Sequence, residues 1–141
     1  MAAAWQKWQE PFAFQTAAAT AILVEQCGVR EGMRILDLAS GIGEPALALG
    51  RAVGPRGVVV ATDLVREALL LLETRAREAG LNNIVVRQTD MDALPFADNS
   101  FDVVTSRLGI MFSPNAERAL SEARRVLRPG GTAAFLVLGL P

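Results

Sequence analysis

The sequence has no histidine, no tyrosine and a single cysteine, Cys27. The first two absences exclude His–carboxylate triads, imidazole metal sites and phenolic acids, so no metal ligation is expected. Proton transfer then falls to Asp, Glu, Lys7, an Arg-tuned water or the substrate itself. One cysteine cannot close an intrachain disulfide and suits a reducing compartment, so a cytoplasmic protein is expected. No apolar run reaches the ~18 residues of a membrane span. The start, MAAAWQKWQEPF, breaks with Lys7 and two Trp what a secretory signal would keep continuous and apolar. Positive charge is not in excess either: 14 basic residues stand against 15 acidic, a net charge of -1. A partner held by phosphate neutralisation needs a basic face, so nucleic acid is not expected.

What remains is ordinary. The 141 residues are 51% hydrophobic and 21% charged, enough for one globular domain with its own core. Short apolar runs alternate with helical patterns. Strands are predicted at 33–38, 58–62, 84–88, 101–105 and 132–138. Helices are predicted at 44–53, 66–79 and 115–127, with an amphipathic one ahead of them from Thr16 to Cys27, closed by Gly28. Gly54-Pro55-Arg56-Gly57 and Arg128-Pro129-Gly130-Gly131 read as turns. The alternation implies βαβ units and an α/β fold, a doubly wound, mainly parallel Rossmann-like sheet. The chain divides into an N-terminal helical segment, 1–30, and a core, 31–141. The aromatic residues Trp5, Trp8, Phe12 and Phe14 make the first segment a packing element and a candidate lid.

In such sheets ligands sit beyond the carboxyl ends of the strands, which directs attention to four loops. In the first, Gly41 and Gly43 allow a sharp turn and close approach of backbone to ligand, and the following helix aims its free N–H groups at the same place. A tight strand-to-helix turn would need the same glycines. Asp63, twenty residues beyond Gly43, is placed to accept hydrogen bonds from ribose hydroxyls, or to cap the next helix. Two cofactor classes fit. Gly41-x-Gly43-x-x-Ala46 satisfies the dinucleotide pattern, with Ala in its third place. S-adenosylmethionine (SAM) competes: a carboxylate at Asp37 and another at Glu44 would repel a pyrophosphate, while Asp37 suits an ammonium. Asp90 is placed to accept from an adenine amine, with Met91 packing on the ring.

ILDLASGIGEPALAL, VVVATDL, QTDMDALPFADNSFDVVTSRLGIMF and EARRVLRPGGTAAFLVLG, in this order, resemble the successive motifs of class I SAM-dependent methyltransferases, of the ubiquinone/menaquinone-biosynthesis type. The likeness runs from about Met33 to Gly139. It implies that the loop from Asp37 through Ala39, Ser40, Gly41 and Gly43 holds the methionine portion of SAM. It implies further that Asp63 holds the ribose, that Leu64 covers one adenine face, and that Asp90 and Met91 bind the adenine edge and face. Ser106, Arg107 and Leu108 would line the site near the methyl group, although Arg107 could equally pair with a neighbouring acid. Two departures stand out. The first glycine of the usual D-x-G-x-G-x-G loop is Ala39. The family fold also continues past its fifth strand with a helix and antiparallel strands, whereas this sequence stops at Gly139-Leu140-Pro141, so a C-terminally truncated core is expected.

The function so implied is methyl transfer from SAM to a small-molecule acceptor, with no catalytic residue assigned. The alternatives are a SAM-binding module without turnover and an NAD-dependent oxidoreductase. A bare fifth strand is an apolar sheet edge that invites pairing, so a homo-oligomer formed through 132–138 is expected.

Overall fold

The computed structural model describes residues 2–139, apart from the side chains of residues 2, 5, 6 and 8–16. The aromatic side chains Trp5, Trp8, Phe12 and Phe14, like residues 140 and 141, therefore lie outside what is described. Helix α1 (Ala2–Gln26) leads into β1 (Arg34–Asp37), α2 (Ala46–Val53), β2 (Val58–Asp63), α3 (Arg66–Glu78), β3 (Ile84–Gln88), β4 (Phe101–Arg107), a 3-10 turn (Ile110–Phe112), α4 (Ala116–Val126) and β5 (Leu127–Leu136). Every pairing is parallel, in the order β3-β2-β1-β4-β5. This is the doubly wound, Rossmann-like sheet. The strand order reverses at β1, so the crevice of such a sheet lies beyond the carboxyl ends of β1 and β4.

Both faces of the sheet are covered, which is why its strands read as near-continuous apolar runs. Successive side chains divide between the faces with period two. Ile35, Val59, Ala61 and Val103 point to one side and pack with Cys27, Ala46, Leu49, Val53 and Leu72 from the α1–α3 side. Leu36, Val60 and Val104 point to the other and pack with Leu94, Ala123 and Val126. Truncating a fully buried Leu in such a core costs about 2–5 kcal/mol.

Four boundaries differ from expectation. Helix α1 begins at Ala2, almost four turns ahead of the expected start at Thr16. Helix α2 begins at Ala46 rather than Glu44, because Gly43 (φ +151°) and Pro45 (φ −87°, ψ 4°) hold the chain in a turn first. Strand β4 runs on to Arg107. The fifth strand spans Leu127–Leu136 rather than 132–138. Arg128-Pro129-Gly130-Gly131 is a bulge inside it: Phe101 pairs with Leu127 and Val103 with Thr132, which leaves four residues opposite Asp102 alone. Gly130 turns there at φ +80°, and a Cβ on Gly131 would come within 2.9 Å of the Asp102 carbonyl. Val137 and Leu138 lie beyond the strand and are exposed.

Asp102 joins three strands at the amino end of the sheet. Its carboxylate accepts from the Arg34 backbone N–H at 2.8 Å and from Arg128 Nε. The Arg34 N–H, foremost, and the Arg128 guanidinium hold its carboxyl below the ordinary carboxylate value. Its contribution is therefore complete above the ordinary value and is lost as pH falls through the lowered one. Asp102→Ala is expected to cost about 1–3 kcal/mol at neutral pH. Urea unfolding at neutral pH and again in acid should find the difference from the parent chain shrinking in acid.

Candidate functional site

The loop between β1 and α2 crosses the carboxyl end of the sheet in a conformation only a special sequence tolerates. Gly41 sits at φ +58° and Gly43 at φ +151°, and Ala39 is also left-handed at φ +54°. Such a φ costs an L-residue roughly 1–2 kcal/mol, so the fold over-determines Ala39. On the β2 side, Ser40 N–H donates to the Thr62 carbonyl at 2.8 Å and Gly41 N–H to Asp63 Oδ2 at 2.9 Å. On the β4 side, Leu38 N–H donates to the Thr105 carbonyl, and the Ser106 hydroxyl donates back to the Leu38 carbonyl at 3.0 Å. From beyond β2, Arg75 Nη1 donates to the Ile42 carbonyl at 2.7 Å. A Cβ on Gly43 would meet that same Nη1 at 2.7 Å, whereas a Cβ on Gly41 would meet nothing within 4 Å. Gly41 thus faces open space, and Gly43 faces its clamp.

Asp63 is the hinge of the arrangement. Its second oxygen accepts from the Val65 N–H at 2.9 Å, a turn two residues long that leads into α3 without capping the helix itself, since Val65 is the N-cap and no side chain caps it. A carboxylate has about four lone-pair sites, which leaves acceptor capacity on the half-buried side chain for hydroxyl donors. Leu64 beside it is 62% exposed, an apolar surface next to a polar hook. Asp90 is exposed and turns its Oδ1 to the Asp92 N–H at 2.9 Å. Met91 packs, half-buried, against the Leu36 and Val60 side of the core.

Asp37 lies beneath the loop with no exposed surface. Its Oδ1 accepts from the Thr105 hydroxyl at 2.6 Å, while its Oδ2 has no hydrogen-bond partner. Burial pushes its carboxyl up to about 6 against the lowering effect of that hydrogen bond and of Arg107. An orphaned buried oxygen of this kind is costly in an apolar surrounding. Arg107, at the end of β4, donates from Nη1 to the Thr20 hydroxyl of α1 at 3.0 Å. Burial lowers its pKa, and Glu44 and Asp37 work against that.

A pocket of about 560 Å³ opens between α1, the start of α2 and Arg107. Ala17, Ala21, Val24 and Ala48 form its apolar wall; Thr20, Glu25, Glu44 and Arg107 are its polar groups. Asp63, Leu64, Asp90 and Met91 do not line it; they border the β2 and β3 end of the crevice. Of the residues singled out in the sequence, the fold gathers Asp37, Ala39, Ser40, Gly41, Gly43 and Asp63 into one hydrogen-bonded unit and sets Arg107 at its rim. Sequence reasoning missed Arg75, Thr20 and Gly109. A Cβ on Gly109 would fall inside the Ala39 methyl and 2.8 Å from Ser106 Oγ. The left-out glycine of the loop has its counterpart here. Cys27 is no candidate nucleophile: it is buried, and burial first, with Asp37 second, pushes its thiol up to about 11.

Comparison with known proteins gives a consistent result. Residues 36–135 match the model of the methyltransferase domain family. Over 119 residues the chain is 37% identical to the ubiquinone/menaquinone biosynthesis C-methyltransferase UbiE of a Shewanella species, covering 84% of this chain and 47% of that protein. It therefore spans about half the length of such relatives. Among solved structures it is similar to a SAM-dependent methyltransferase from Aquifex aeolicus: TM-score 0.76, 26% identity, 82% of this chain and 62% of that one. It is also similar to CrArsM, an arsenic(III) S-adenosylmethionine methyltransferase from Chlamydomonas reinhardtii: TM-score 0.71, 36% identity, 76% of this chain and 39% of that one.

The sealed carboxyl of Asp37 yields a signed expectation. A raised folded-state pKa favours the protonated form, so Asp37 does not burden the fold below its ordinary value of 3.8 and opposes it increasingly as pH rises to about 6. The difference in unfolding free energy between Asp37→Asn and the parent chain should move in favour of the amide by on the order of 3 kcal/mol from acid to mildly basic pH. Thermal melts across that range, with ligand absent, test it; a pH-independent difference would contradict the assignment.

Proposed function

The chain belongs to the methyltransferase domain family, and from that premise we propose that it binds S-adenosylmethionine and directs its methyl group to a small-molecule acceptor. The observation that carries the reading is the loop unit: a glycine open to approach, pinned by a carboxylate that keeps lone pairs for hydroxyl donors, with acids at Asp37 and Glu44. An NAD pyrophosphate would have to lie beside those two carboxylates, whereas a cationic ligand gains from them. The residues fit the group: the unpartnered oxygen of Asp37 supplies negative potential under the loop, and Gly41 leaves the approach clear.

In this reading the loop from Asp37 through Ala39, Ser40, Gly41 and Gly43 holds the methionine portion. Asp63 accepts from the ribose hydroxyls, and Leu64 covers one adenine face. Asp90 and Met91 border the adenine edge; for Met91 to meet the ring its side chain turns out of the core it now touches. Arg107 flanks the methionine end. The cofactor when bound supplies an electrophilic methyl on a sulfonium, and the acceptor's nucleophile displaces it in line. The chain's own part is to orient and to exclude water. No residue here is assigned as a base: the sequence has no His or Tyr, and the Cys27 thiol is sealed. An acceptor that brings an activated carbon or a thiolate suits such a site, and the C-methyltransferase relatives support the first.

The free, buried Cys27 supports a reducing compartment, which we take to be the cytoplasm. Among the described residues no helix is long and apolar enough to cross a membrane. The near-neutral charge supports a small acceptor rather than nucleic acid. Among the described residues β5 stands at an edge of the sheet, with Val137 and Leu138 exposed just past it, and an apolar edge of this kind supports self-association through a second copy.

Calorimetric titration with SAM, and separately with NAD, tests the cofactor. Saturable SAM binding is expected, weakened about tenfold or more in Asp63→Ala, as the loss of charge-assisted hydrogen bonds to hydroxyls implies. The far-UV spectrum should be retained. Binding of NAD in place of SAM would overturn the reading; SAM binding with no methyl transfer to any acceptor would favour a binding module. Light scattering at micromolar concentrations should return a mass above that of one chain, and a monomeric mass would refute the association.

A further inference from the structure

We infer that Asp92 is a positioning residue for adenine recognition: anchored to Ser113 and Arg118, it fixes the carboxylate of Asp90 where an exocyclic amine can donate to it. The inference rests on the cofactor reading above and deepens it by naming what holds Asp90 in place.

The connection from β3 to β4, residues 89–100, has no helix or strand of its own. A free loop would leave an exposed carboxylate many positions to occupy, and the freedom lost on binding costs affinity. Helix α4 removes that freedom beforehand. Arg118, Glu122 and Arg125 stand four and three residues apart, so they share one face of the helix. From that face Arg118 Nε donates to the Asp92 carbonyl at 2.9 Å, and Glu122 accepts from the Leu94 N–H at 3.4 Å. Arg125 donates to the Leu94 and Phe96 carbonyls at 2.9 and 2.7 Å, steadied by Glu122 at 2.6 Å. The helix thus grips the backbone of the loop at every second residue.

The first of these grips bears on Asp90. Its carbonyl closes a turn with the Ala93 N–H at 3.2 Å, and its Oδ1 accepts from the Asp92 N–H at 2.9 Å. Oδ2 is left for a ligand donor. That geometry lasts only while the Asp92 N–H keeps its direction, and the other two polar groups of Asp92 are both tied. Its side chain accepts from the Ser113 hydroxyl at 2.7 Å, and its carbonyl is the one that Arg118 takes. Ser113 is itself directed: its Oγ accepts from the Asn115 N–H at 3.2 Å, so its proton goes to Asp92. Asn115 in turn caps α4, its Oδ1 accepting from the Arg118 N–H at 3.1 Å. Asp92 and Ser113 are both half-buried, which strengthens the bond between them. An acid two residues from Asp90 would otherwise be a poor neighbour for it, since like charges repel. Ser113 draws the Asp92 carboxylate to the start of α4 instead.

The test uses the full chain and two ligands that differ in one group: S-adenosylhomocysteine, and its purine analogue in which hydrogen replaces the 6-amino group. Calorimetry gives the ratio of their dissociation constants. In the parent chain the ratio is expected to be about tenfold in favour of the amine, and Asp90→Ala should bring it to about one. Asp92→Ala and Ser113→Ala should each lower it to about threefold or less, weakening S-adenosylhomocysteine while the analogue holds within about twofold. Asp92→Asn keeps an acceptor of the same shape for Ser113 and should retain the parent ratio. A purely structural role would weaken both ligands alike, and equal weakening overturns the inference. A parent ratio that persists in both Asp92→Ala and Ser113→Ala overturns it too, and the cofactor reading survives either result. A parent chain that binds both ligands equally removes Asp90 from amine recognition, so the inference falls while cofactor binding stands. Binding of neither ligand overturns the cofactor reading and this inference with it.

Discussion

Asp63 divides its carboxylate between the Gly41 N–H of one loop and the Val65 N–H of the next, and the candidate site is organised around that division. A glycine-rich loop gains freedom at the cost of order. Here the freedom is removed again from three directions: by Asp63 and Thr62 from β2, by Thr105 and Ser106 from β4, and by Arg75 from α3. A loop held by so many fixed dipoles presents its N–H groups and its acids in one geometry before any ligand arrives. Such preorganisation is the main thing a scaffold can offer when the reactive group belongs to a bound molecule.

Order at the loop is reached with a carboxylate in the wrong medium. Asp37 is sealed, one oxygen bonded to Thr105 and the other to nothing. A hydrophobic residue of similar volume would suit the core better there. The charge would be of use to something positive that comes to lie above it, which is what supports the candidate site at this loop. Arg107 is placed where the charges of both Glu44 and Asp37 reach it. The three form a graded set, from sealed to half-exposed, at the mouth of the crevice.

Much of this was legible in the chain itself, for physical reasons that differ between elements. Strands buried on both faces leave unbroken runs such as Val58-Val59-Val60-Ala61, and the turn chemistry between them is local, so topology followed from short windows. Asp63's place at a strand end was legible from the run before it, but its bond to the Gly41 N–H was not, because that partner stands 22 residues back in the preceding loop. Arg75 and Thr20 were not, because their partners stand 33 and 87 residues away and nothing in a helical window distinguishes them from solvated neighbours. Arg128-Pro129-Gly130-Gly131 failed in another way. Its residues do turn, as their types require, but β4 continues to pair on either side, and only the register opposite Asp102 separates a bulge from a loop.

Ala39 and Gly109 stand seventy residues apart in the chain, yet one methyl group is all that the space between them admits. The backbone at Gly109 is conformationally ordinary, with φ −114°, so it is volume alone that keeps a side chain out. Position 39 departs from the expected glycine, and position 109 supplies the missing absence. The familiar run of glycines is in this sense a rule about occupied volume rather than about letters. It can be obeyed by a residue outside the motif, and a loop that looks defective when read along the chain is whole when read across the sheet.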